Sequence, residues 1–121
     1  FQFVMATDRG NTTLANRFDP LSVPFLRTLK TIADAGRRNE TPVTLCGELA
    51  GRPISAMALM GIGYRSISMS PASIGPVKAM MRELPLGELE SFMADNMGGP
   101  AATAPMRMLL QGFADEHGVP L

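Results

Sequence analysis

The chain is poor in the residues from which many sites are built: it has one Cys, one His, one Tyr and no Trp among 121 residues. A single Cys cannot form an internal disulfide, and one Cys with one His makes no structural zinc site. Those counts suit a reducing cytoplasm and leave Cys46 as either a small core residue or a reactive thiol. Excess charge is also missing, since 11 basic residues balance 11 acidic ones and no block of like charge occurs. That argues against nucleic acid or an anionic membrane surface as partner. No apolar run approaches the roughly 18 residues that a bilayer-spanning helix needs, and no secretory signal opens the chain.

Methionine, by contrast, is plentiful. Ten Met residues point to a core filled by flexible thioether chains, and 12 Gly with 10 Pro, well spread, read as many short turns. The length allows one modest core. The first residue is Phe1, so the chain is expected to be part of a longer one.

Residues Phe1 to Ala6 are apolar and read as a short helix or the end of a longer element, before the polar TDRGN turn at Thr7–Asn11. Asp19-Pro20 marks a second break. Ser22 is a good N-cap with Pro24 in the first turn, and Phe25, Leu26, Leu29, Ile32 and Ala33 form an apolar stripe. With Gly36, Arg37 and Arg38 at its negative end, this predicts a helix over Val23–Arg38.

Pro42 to Cys46 is short, apolar and β-branched, and Gly47 stops it, so it predicts a buried strand ending in a turn. Pro53 opens a helix carrying Ile54, Met57, Ala58 and Met60, which ends at Gly61 and Gly63. Ser66 to Met69 predicts a second strand. Ser73 is expected to cap a further helix, with Ile74, Val77, Met80 and Met81 turned inward and Pro85 beyond its end. Two more helices follow, at about Gly87–Asn96 and Ala104–His117, separated by Gly98-Gly99-Pro100.

Short strands alternating with helices imply parallel strands joined by right-handed crossovers. Two such strands do not make a stable sheet. Either a third hides among the helices, or the chain belongs to a larger barrel or sheet, which is the preferred reading.

The segment LCGELAGRP, Leu45–Pro53, holds the most chemistry. A strand that ends in Cys46-Gly47 puts a thiol at the carboxyl edge of a parallel sheet, where barrel and open-sheet enzymes build their sites. Gly47 permits close approach of a ligand, and Glu48 adds a carboxylate. A lone strand-end Cys is more often a small buried hydrophobe, so from composition alone the core reading of Cys46 is the stronger, with a nucleophile or proton donor as the other. Arg9 in TDRGN can pair a phosphate or carboxylate, or simply Asp8. His117 lies at a helix C-terminus, where the dipole accounts for it, and no partner His makes Ser66, Ser68 or Ser70 a triad serine. The Met residues between Met57 and Met60 and the Met80-Met81 pair read as packing.

Four motifs in order go further: DRGN, CGELAG, the SMS strand and the ASI-G-PVK helix start. Together, from Phe1 to about Arg82, the chain resembles the phosphoenolpyruvate-protein phosphotransferases that head the bacterial phosphotransferase system. FQFVMATDRGN and GELAGRP lean toward the nitrogen-related branch. The resemblance implies a (β/α)₈ TIM barrel that binds phosphoenolpyruvate and magnesium (Mg²⁺) and dimerises. This chain would hold about its last third, residues 1–85 as the final β/α units and 86–121 as a helical tail. In that family the Cys of CGELAG protonates the enolpyruvate carbon, so Cys46 inherits that role. The Arg of DRGN holds the phosphate, so Arg9 inherits that one. The metal ligands, further substrate arginines and phosphorylated His are implied to lie upstream, so this stretch alone is expected to be inactive. Implied partners are phosphoenolpyruvate and pyruvate, a phosphocarrier protein of the HPr type and a second copy of the chain, in the cytoplasm. The nearest alternatives are a pyruvate phosphate dikinase or phosphoenolpyruvate synthase barrel, and a non-catalytic dimerisation module.

Overall fold

A computed structural model of the chain describes residues 19–99 and 105–121. The expectations for Phe1–Ala6, TDRGN and Arg9 therefore lie outside the described residues. The elements are α1 (Val23–Arg38), β1 (Thr44–Cys46), a 3₁₀ turn (Glu48–Gly51), α2 (Pro53–Gly61), β2 (Ser66–Ser68), α3 (Pro71–Glu83), α4 (Leu86–Met97) and α5 (Met106–His117). Among the described residues this is a helix-rich α/β arrangement with one parallel strand pair, Thr44 opposite Ser66, Leu45 opposite Ile67 and Cys46 opposite Ser68.

The core is organised on α2. Its sequence, PISAMALMG, is apolar on every side, and Ser55, Ala56, Met57, Ala58, Leu59 and Gly61 are all buried. A helix of that kind must be surrounded. The 3₁₀ turn, α3, α4 and α5 all pack near it, with Val77 and Met80 from α3, Leu89, Met93 and Met97 from α4, and Met106, Leu110 and Phe113 from α5. Gly61 sets the approach of α4: a Cβ there would meet Met93 Cγ at 2.7 Å and Leu89 Cγ at 3.0 Å. Helix α1 joins through Leu26 and Leu29, and buried Tyr64 donates its hydroxyl to the Leu29 carbonyl at 3.0 Å. Burial pushes the Tyr64 phenol up from its usual range, in keeping with a hydroxyl that stays a donor.

Four expectations are corrected, three of them for apolar residues. Ile32, Ile74 and Met81 are 48%, 41% and 42% exposed. In α1 the buried stripe is centred on Phe25, Leu26 and Leu29, and in α3 on Val77 and Met80, which leaves these three residues on the flanks. The α3 cap is Ser70, not Ser73, because Pro71 takes the first helical position. Gly36 lies in the last turn of α1, as expected from the sequence. It is buried inside α1, where a Cβ would lie 2.3 Å from Val43 Cγ2.

Candidate functional site

The site begins with a strand that alternates. Leu45 and Ile67 are half-buried and pack on the core, so Thr44, Cys46, Ser66 and Ser68 occupy the other, exposed face. Side chains on that face do meet: Thr44 Oγ1 donates to Ser66 Oγ at 2.9 Å. Cys46 and Ser68 repeat the pairing one step nearer the carboxyl edge.

Beyond Cys46 the chain turns sharply. Gly47 has φ +117°, a conformation that side-chain-bearing residues rarely adopt, and a Cβ there would meet nothing within 4 Å. Its N–H donates to the Ser68 carbonyl at 3.3 Å, carrying the ladder one residue past Cys46. Its carbonyl accepts from the Ala50 N–H at 3.1 Å, which starts the 3₁₀ turn. Glu48 is the first residue of that turn and is exposed, two residues from Cys46. Gly51 brings the turn against α3, since a Cβ there would lie 2.8 Å from Ser73 Oγ. Ser73 and Ser70, whose hydroxyls are 3.1 Å apart, thus stand at the same edge as the thiol.

The thiol of Cys46 is exposed, against the expectation of a buried strand and the core-residue reading. With only three residues per strand, one face of the pair meets the helices and the other is open. The geometry gives a nucleophilic or acidic group at a sheet edge, with a glycine corner that lets a small molecule come close. Among the described residues no group of three His, Cys, Asp or Glu could hold a metal ion. These residues therefore do not fit magnesium by themselves, and no step is derived through it.

A separate cavity of about 400 Å³ lies between α1, α2 and α4, lined by Arg27, Lys30, Arg37, Ile62, Glu90 and Met93 among others. It sits at the C-terminal end of α2, whereas Cys46 precedes the α2 N-terminus. Its cations are engaged: Arg27 donates to the Met97 and Gly99 carbonyls, and Lys30 and Arg37 share Asp34. The size of this cavity does not make it the chemical centre.

Two polar links fasten α5. At its start, Arg107 Nε and Nη2 reach the two carboxylate oxygens of Asp19, each at 2.8 Å. Burial raises the Asp19 carboxyl, but the hydrogen bonds from Arg107 and the Leu21 N–H outweigh it and hold the group below its ordinary range. At its end, His117 Nδ1 lies 2.8 Å from the Phe113 carbonyl, and Nε2 lies 3.1 Å from Glu88 Oε2 on α4. Both neighbours only accept, so the doubly protonated ring satisfies both. The Phe113 carbonyl first and Glu88 second raise the imidazole above its usual value. The ring also stacks on Phe113 at 4.2 Å.

Sequence reasoning placed His117 at a helix end but could not see Glu88. It read Ser66 and Ser68 as alternating strand residues, and the register of the two strands puts them on the face of Thr44 and Cys46.

A parallel strand pair with flanking helices and an exposed thiol at its carboxyl edge is a segment of a β/α domain. Residues 1–86 match the family described as PEP-utilising enzyme, PEP-binding domain, and the chain belongs to that family. It is 33% identical over 118 residues, 98% of its length, to a protein of Escherichia coli (strain K12) named for the phosphoenolpyruvate-dependent phosphotransferase system. It is 36% identical over 91 residues, 75% of its length, to the phosphoenolpyruvate-protein phosphotransferase of Borreliella burgdorferi. Over 91 residues it is 39% identical to a multiphosphoryl transfer protein of Xanthomonas campestris pv. campestris. The chain spans only 16%, 16% and 11% of the length of these three relatives.

Proposed function

We propose that the chain is part of an enzyme that transfers the phosphoryl group of phosphoenolpyruvate to a protein histidine, releasing pyruvate. The observation that carries this is the exposed Cys46 at the carboxyl end of β1, followed by the left-handed Gly47 corner. Loss of the phosphoryl group leaves an enolate, which becomes pyruvate only when its terminal carbon gains a proton. A thiol held at the sheet edge is placed to give that proton. The names of the relatives, a family match that includes Arg9 and Cys46, and the open polar face of the strand pair all support the reading.

In the same reading the strand pair closes a (β/α)₈ barrel with strands from the rest of a longer protein. Thr44, Cys46, Ser66 and Ser68 then face the barrel interior, and Leu45 and Ile67 face its helices. Residues 1–85 belong to the final barrel units and 86–121 to a helical tail, a division supported by the family match, which stops at residue 86. Arg9 holds the substrate phosphate, and magnesium is held by residues outside this chain. A phosphocarrier protein of the HPr type takes the phosphoryl group onward, and the enzyme works as a homodimer in the cytoplasm. No helix among the described residues is long and apolar enough to cross a membrane.

The test is a pair of variants in the full-length protein. Cys46→Ala should slow pyruvate formation by about 10²- to 10⁴-fold while phosphoenolpyruvate still binds. Arg9→Ala should weaken binding as well as rate, because the phosphate charge is present in both ground and transition states. Near-normal turnover in Cys46→Ala would return that residue to a structural role.

A further inference from the structure

We propose that the cavity between α1, α2 and α4 is a binding site for a small organic dianion, with carboxylate or phosphate charge on a short carbon body. At about 400 Å³ it falls within the roughly 300–1,000 Å³ of small-molecule sites. Its floor is apolar, since Ile62, Met93 and Met97 line it and all three are buried. Gly61, Gly63 and Ala94 put no long side chain into it, which keeps it open. Cations stand on its wall above that floor, the mixture that suits a charged group on a carbon body.

The charge comes from one stripe of α1. Arg27, Lys30, Asp34 and Arg37 follow at i, i+3, i+7 and i+10, so they share a face of the helix. Asp34 serves two cations at once, accepting from Lys30 Nζ at 2.9 and 3.1 Å and from Arg37 Nη2 at 2.5 Å. One carboxylate cannot neutralise both. Among the described residues Arg27 meets only carbonyls, those of Met97 and Gly99, which carry no net charge. Glu90, the one acid lining the cavity among the described residues, is matched by Arg65. One positive charge is therefore left over from Arg27 and one from the Lys30–Arg37 pair, and Lys30 and Arg37 have N–H groups to spare. The C-terminal ends of α2 and α4 also reach this cavity, and bare helix ends would repel an anion. Their last carbonyls are already taken. Those of Ala58, Leu59 and Met60 accept from the N–H groups of Ile62, Tyr64 and Gly63, and that of Met97 accepts from Arg27.

The experiment is a calorimetric titration of the full-length protein at low salt with succinate, propyl phosphate and inorganic phosphate. One of the two organic probes should bind saturably, which also tells carboxylate from phosphate. Inorganic phosphate should bind several-fold more weakly, because it brings no carbon to the apolar floor. Lys30→Gln and Arg37→Gln should each weaken the organic probe about three- to tenfold, between the effect of an exposed ion pair and that of a charge-assisted hydrogen bond. Ala94 is exposed on α4, so Ala94→Leu should fill the cavity without disturbing the core and abolish binding. Melting of each variant without probe checks that the fold survives, and in wild type the bound probe should raise the melting temperature by mass action. Arg9→Ala, which weakens the proposed substrate site, should leave probe affinity within about twofold of wild type, as a change away from this cavity. No saturation by either organic probe at millimolar concentration would overturn the proposal. So would binding that survives intact in Ala94→Leu and both Gln variants, or binding lost only in Arg9→Ala.

Discussion

The strand edge around Cys46 and the layer formed by α4 and α5 are built on opposite plans. At the edge, two strands of three residues carry exposed Thr44, Cys46, Ser66 and Ser68, and the conformation of one glycine decides where the chain turns. In the helical layer, Leu89, Met93, Met106, Leu110 and Ala114 are almost entirely shielded from water. A pair of three-residue strands cannot sustain itself in water. The edge therefore keeps its shape through the 3₁₀ turn, which joins both strands to α2, and α2 is in turn gripped by α3, α4 and α5. The proposed chemistry and the stability are borne by different layers, and the 3₁₀ turn against α2 is where they meet.

The most severe way to test that division is to open the grip on α2 without touching the edge. Gly61→Val puts a branched side chain where even a Cβ would lie 2.7 Å from Met93. Overpacking of this kind typically costs about 1–3 kcal/mol, and we expect the upper half of that range by denaturant unfolding. An unchanged midpoint would mean that α4 is not what holds α2.

A smaller effect should follow titration of His117. Its folded value is raised, so its contribution is fully present below the ordinary value of 6.5 and fades as pH rises through the folded one. Hydrogen exchange of α5 amides, corrected for the intrinsic rate, should show protection falling above that point. In His117→Gln the pH dependence should vanish, and its persistence there would assign it to another group.

The smallest effect is expected inside the best-packed element. Ser55 is fully buried on α2, and its hydroxyl has no hydrogen-bond partner among the described residues. An unpaired buried hydroxyl costs stability, so Ser55→Ala should be neutral or stabilising, within about 1 kcal/mol by thermal melt. A clear loss would show that the hydroxyl is engaged after all and that α2 is less purely apolar than it looks.

The residues that were legible in advance are those whose reason is local. The α1 limits follow from the Pro24 start, the Phe25–Leu29 stripe and the basic end, and they match Val23–Arg38. The strand, glycine corner and thiol at Cys46 follow from five consecutive residues. What stayed hidden depends on partners far along the chain. The shared face of Thr44, Cys46, Ser66 and Ser68 depends on the register of β1 with β2, whose partners Thr44 and Ser66 are 22 residues apart. His117 meets Glu88 across 29 residues. Gly36 and Gly61 lie at the ends of their helices as expected, but only the packing shows that a neighbour passes too close to each for a side chain. Ile32, Ile74 and Met81 fit a helical period equally well on the flank or at the centre of the stripe, and only packing decides between the two.

The last helix is strapped down at both ends by buckles that open in opposite directions. Asp19 holds Arg107 once it is ionised, and its contribution is complete above the ordinary value of 3.8 and disappears in stronger acid. His117 holds Glu88 while it is charged, and lets go as pH rises through its raised folded value. Between 3.8 and 6.5 both buckles are fastened. Acid therefore frees α5 from its first turn and rising pH frees it from its last. Met106 and Phe113 should lose their cover in opposite order on the two sides of that window.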